Sequence, residues 1–128
     1  MSKETMSTPP RGIISAQEAE KLSENWTNLR KTTNDQVACN AGDNRSSWYS
    51  LEDLTNFIDS VKTSHPNANG LRFYLGVDTS VGKGGHTTIF MVPTELNQKK
   101  NRSYDILKAD GLDDGLAGYP PTAAYPQQ

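Results

Sequence analysis

The stretch GVDTSVGKGGHTTIF, residues 76–90, holds the residue types that most readily suggest chemistry: a lysine among glycines, followed by a histidine and hydroxyl side chains. A phosphate-gripping loop has the pattern G-x-x-x-x-G-K-[ST] between a strand and a helix, because its backbone N–H groups and the helix N-terminus hold the phosphates. Here Lys83 is followed by Gly84 rather than Ser or Thr, and no glycine stands five residues before Gly82. The residues that follow, TTIFMV, are β-branched and apolar, which predicts a strand and leaves no helix dipole to aim at an anion. The stretch therefore reads as a hairpin loop, 78–86, whose glycines supply positive φ. Hairpin loops usually have about two to five residues. A longer one on a rigid strand pair is a place for a binding surface, and Asp78, Lys83 and His86 are its candidate contact residues.

Other chemistry-bearing residues are sparse. Cys39 with His65 or His86 would supply the types for a nucleophilic pair, but VACNAG forms no known catalytic frame. Two histidines and one cysteine do not make a zinc pattern, and DGLDDG lacks the alternating spacing of a calcium loop. No metal, no catalytic residue and no cofactor is expected. Glu52 and Asp53 are explained by the dipole of the helix they begin. Trp26 reads as a core residue, and Trp48 and Tyr49 as core or rim.

These residues must be positioned by a modest chain. At 128 residues a single domain is expected, and 34% apolar residues with a mean hydropathy of −0.71 allow only a small core. A net charge of −2 gives no basic excess for nucleic acid. The short run Lys99, Lys100, Arg102 reads as a solvated turn. A lone cysteine forms no internal disulfide, no segment approaches a membrane span, and the polar N-terminus has no apolar signal core. A soluble cytoplasmic protein is expected.

Residues 1–12 read as a disordered segment. Ser15 and Glu18 fit a capping box, and Ala19, Leu22, Trp26 and Leu29 share a face, predicting a helix over 16–31. Residues 32–47 read as a long connection with a short strand at 37–39. Ser50 as N-cap, a Tyr49–Leu54 staple and the row Leu51, Leu54, Ile58, Val61, with Phe57 beside it, predict a second helix over 51–64, stopped by Pro66. LRFYLGV (71–77) alternates, with Leu71, Phe73, Leu75 and Val77 on one face. In TTIFMVP (87–93), Ile89 and Met91 occupy one face and Phe90 and Val92 the other, so both faces call for cover. SYDILKA (103–109) is a candidate third strand, needed because a lone hairpin is marginal.

The layout SSWYSLEDLTNFI, GLRFYLGV and TTIFMVPTE, with a Pro-rich GYPP tail, resembles a family of small bacterial proteins of no known activity. The resemblance spans roughly residues 13–93 plus the tail. It implies a bacterial cytoplasmic setting and no site residues.

The expected fold is a single α+β domain over 13–108. Two amphipathic helices pack on a small antiparallel sheet, and an extended Pro/Gly-rich C-terminal arm covers 109–128. The leading functional expectation is a non-enzymatic interaction protein that binds a protein partner or itself. It would use the 78–86 loop, the sheet face of Phe90 and Val92, or both. The alternatives are a small enzyme or nucleotide-binding protein using Lys83, His86 and Cys39, and an immunity- or inhibitor-type protein. Neither nucleic acid nor membrane is expected as a partner.

Overall fold

The computed structural model describes residues 9–113, 116–117 and 123–127. Most of the segment 1–12, and residues 114–115, 118–122 and 128 of the tail, therefore lie outside the described residues. The architecture is α+β, with helices beside an antiparallel three-stranded sheet.

Helix α1 spans Ala16–Trp26. Ser15 caps it as its spacing predicts: its Oγ accepts from the Glu18 N–H at 3.1 Å, and Glu18 Oε1 accepts from the Ser15 N–H at 2.9 Å. The helical path does not stop at residue 31. It passes through a π-helical turn, Thr27–Lys31, into α2, Thr32–Val37. The expected connection at 32–37 is thus helical, and no strand forms at 37–39. The polar run TTNDQV has no apolar period to announce a helix; a Lys31–Asp35 ion pair one turn apart, at 2.5 Å, bridges the turn instead. A 3-10 turn over Cys39–Ala41 follows, with Asn40 in the left-handed region at φ 61°.

Strand β1, Ser47–Trp48, leads into α3, Leu51–Ser64, which has the predicted bounds and Ser50 as its cap. The inward row differs from the expectation. Leu54, Phe57 and Val61 turn toward the protein, whereas Leu51 and Ile58 are exposed. Tyr49 does more than flank the helix: its hydroxyl donates to the Ile89 carbonyl at 2.6 Å.

Strands β2 (Ala68–Asp78) and β3 (His86–Asn97) form a hairpin longer at both ends than the sequence pattern suggests. Phe73 faces Met91 and Leu75 faces Ile89 on one surface; Arg72 faces Val92 and Tyr74 faces Phe90 on the other. Strand β4 is Arg102–Asp105, shorter than the expected 103–109, and pairs Thr94 with Asp105. The lysine run lies in the β3–β4 turn, where the Lys100 N–H donates to Asn97 Oδ1. Beyond β4 the chain follows the edge of β3: Met91 and Leu112 exchange both main-chain hydrogen bonds. Strand β5, Leu116–Ala117, pairs with β1. The core is thin. Met91, 0% exposed, and Pro93 are the largest fully buried side chains among the described residues, and Val61 is buried as well.

Candidate functional site

The turn between β2 and β3 is docked rather than open. Asp78 Oδ1 accepts from the Ser80 hydroxyl at 2.6 Å and from its N–H at 2.9 Å, and these bonds hold the carboxyl below its ordinary value. Gly82, Gly84 and Gly85 have φ of 136°, 87° and 66°. A Cβ at Gly84 would stand 2.1 Å from the Val37 carbonyl oxygen, and one at Gly82 would stand 2.8 Å from Cys39 Sγ. The glycines thus serve close approach to residues 37–39 as well as positive φ. The Gly82 and Gly85 amides are engaged within the loop, donating to Thr79 and Gly82 carbonyls. Residues 86–97 leave the loop as strand, so no helix N-terminus stands behind it.

The candidate contact residues separate. Lys83 is exposed at the tip. His86 turns inward, its Nε2 donating to the Cys39 carbonyl at 3.0 Å, while the Cys39 thiol donates to the Val81 carbonyl at 3.3 Å. Imidazole and thiol are therefore close in space but not bonded to each other. Phe90 and Val92 are half-buried on the second sheet face: the Tyr74 ring stacks on Phe90 at 5.6 Å, and Gly111 passes against Val92. Tyr74 also donates its hydroxyl to Asp105, and that carboxylate raises its pKa. Arg72 reaches the other Asp105 oxygen at 2.8 Å.

A carboxylate that the sequence pattern does not single out organises the opposite side of β3. Asp43, 4% exposed, accepts from the Thr87 N–H at 2.7 Å, the Thr87 hydroxyl at 2.5 Å and Asn34 Nδ2 at 3.0 Å. Burial works to raise its pKa, but the bonds from Thr87 and Asn34 outweigh it and the net shift is downward. Asn44 donates to the Thr87 carbonyl, Tyr49 to Ile89 and Leu112 to Met91. Thr87 and Met91 thus have both outward backbone groups bonded, and Ile89 and Pro93 their carbonyls.

The same bonds define the open edge of the hairpin. Thr87, Ile89 and Met91 point their backbone groups away from β2, so Val77, Leu75 and Phe73 opposite them point theirs away from β3. Among the described residues, nothing hydrogen-bonds to these outward groups. The side chains of the row are exposed too: Phe73 58%, Leu75 76% and Val77 61%. The row thus lacks cover on β2; burial is confined to its end near Pro93 and to the β3 side. A cavity of about 430 Å³ adjoins the row, where Leu75, Val77 and Ile89 face Trp26 and Arg45. Arg45 lies 4.4 Å over the Trp26 ring and donates to the Ser23 carbonyl, so Trp26 is half-buried under a guanidinium rather than enclosed in the core.

Sequence alternation does not mark this row as a site, because an apolar strand face reads alike whether covered or bare. The available signal is a shortage of cover: neither helix carries enough apolar surface for every row of the sheet.

No group of His, Cys, Asp and Glu that could hold a metal ion occurs among the described residues, and no helix there is long and apolar enough to cross a membrane. No protein family, curated protein or solved structure matches this chain.

Proposed function

We propose that this chain is a non-enzymatic interaction protein whose contact surface is the open side of the β2–β3 hairpin. The surface comprises Phe73, Leu75 and Val77, with the bare backbone edge of β2. One observation carries the reading: an apolar row and an unpaired strand edge coincide on the same residues. Contiguous apolar patches on soluble proteins mark contact sites, and a strand edge adds a row of directional donors and acceptors. The contact surface shifts from the face of Phe90 and Val92, which Tyr74 and Gly111 already flank, to the opposite one. The loop with Lys83 forms the rim of this surface.

Capture from native extract with wild-type and Leu75→Lys baits tests the reading. A protein retained by the wild type, reconstituted from purified components and lost with the variant, is the expected result. Equal retention by both baits, or none by either, counts against it. A thermal-shift screen with nucleotides and metals addresses the enzyme alternative. A ligand at about 100 times its Kd adds roughly 2.7 kcal/mol, a readable rise in Tm; no rise is expected.

A further inference from the structure

The geometry points to a second copy of this chain as the occupant of the β2 edge, paired antiparallel across a two-fold axis through Phe73. This rests on the reading of the β2 side as a contact surface and goes further by naming the partner.

The strand edges of the molecule are unequal. The edge of β3 is occupied by Asp43, Asn44, Tyr49, Leu112 and β4. The edge of β4 is four residues long and carries Arg102 beside a lysine-rich turn, the kind of blunting by which proteins discourage edge pairing. Strand β2 has one irregularity, between Ala68 and Gly70, and is regular from Gly70 to Asp78. It runs for 11 residues without lysine, proline or an outward-bonding neighbour among the described residues. Its one cation, Arg72, is turned onto Asp105 and the Ser103 carbonyl of its own chain.

The strand is also complementary to itself. Its outward backbone groups belong to Leu71, Phe73, Leu75 and Val77, so an antiparallel copy must pair odd residues with odd. With the axis at Phe73, the midpoint of Ala68–Asp78, Phe73 meets its equivalent and Leu71 meets Leu75. These pairs alone supply about six main-chain hydrogen bonds. On the other face Arg72 meets Tyr74 of the second copy and Gly70 meets Gly76, so no like charges oppose. The arrangement is isologous and closes, whereas β2 on a neighbour's β4 would propagate into a filament. It joins two three-stranded sheets into one and places both apolar rows side by side.

The area is small. Phe73, Leu75, Val77 and the strand between them offer on the order of 500 Å² per copy, about 1,000 Å² in total, below the roughly 1,200 Å² of stable specific interfaces and in the range of weak ones. The dimer should therefore dissociate on dilution.

Sedimentation of the full chain tests this. The wild type is expected to approach twice 14.1 kDa as concentration rises, and Leu75→Lys to remain at 14.1 kDa with an unchanged circular dichroism spectrum. The register has its own readout in a Cys39→Ser background. Phe73→Cys should give a disulfide-linked dimer under oxidised glutathione, whereas Leu75→Cys, displaced from its equivalent, should not. A wild type that stays monomeric at the highest attainable concentration overturns the proposal, as does a dimer that survives Leu75→Lys or links through residue 75 instead of 73. If the wild type is monomeric and Leu75→Lys still abolishes capture of an extract protein, the second copy is wrong while the contact surface stands.

Discussion

Asp43 shows how much one short side chain can organise. It is buried, yet it stays ionised because Thr87 and Asn34 direct N–H and O–H groups at it. Asp43→Ala strips those donors of their acceptor, and urea unfolding should show a loss of at least about 2 kcal/mol. The pH dependence has a definite sign. The folded-state pKa is depressed, so the contribution is present above the unfolded value, about 4, and is lost as pH falls through the lower folded value. The gap between wild type and variant should therefore narrow below about pH 4. Gly84 makes a separate case, of contact with backbone. Gly84→Ala should cost at least about 2 kcal/mol, because positive φ and a collision with the Val37 carbonyl coincide. Gly12→Ala, with φ +81° and nothing within 4 Å, should cost less, and comparing the two by thermal melts isolates the collision. The glycine pattern announced a hairpin loop over 78–86 in the sequence, and the strands leave residues 79–85 between them. The need for space against residues 37–39 did not appear there, since it arises from a contact over 40 residues away along the chain.

At the level of elements, local chemistry was readable wherever a residue bonds within its own turn. Ser15 with Glu18 and Ser50 with the Asp53 N–H are both found where their spacing places them. Ser50→Ala should destabilise α3 by about 1 kcal/mol, read as a lower midpoint in urea with an unchanged slope. The reading failed where structure depends on distant partners. Residues 32–37 continue the helix without an apolar stripe, because Asp35 bonds both Lys31 and the Asp43 N–H. Alternation in 71–77 and 87–93 identified strands and their faces correctly. Which face is covered depends on where α3 and residues 109–113 settle, and alternation does not encode that. The α3 row follows the same logic: Phe57, not Ile58, is the neighbour of Leu54 and Val61 on the inward side.

For the molecule as a whole, composition already indicated the outcome. A chain with 34% apolar residues has few side chains to spare, yet β2 leaves Phe73, Leu75 and Val77 in water. That imbalance is the physical basis on which the contact surface and the paired copy are proposed, and the Leu75→Lys variant bears on both. A further consequence follows from the way β3 is sealed. Its outer rim is closed by residues 43–49 on one stretch and by Leu112 on another, the second following β4 in the chain. A polypeptide emerging from the ribosome as far as residue 105 would already have its hairpin and third strand, but the Met91 amide would still lack the carbonyl it binds. Synthesis must run several residues further before that seam shuts, and until then the newborn chain carries a bare stretch on β3 that the finished one has covered.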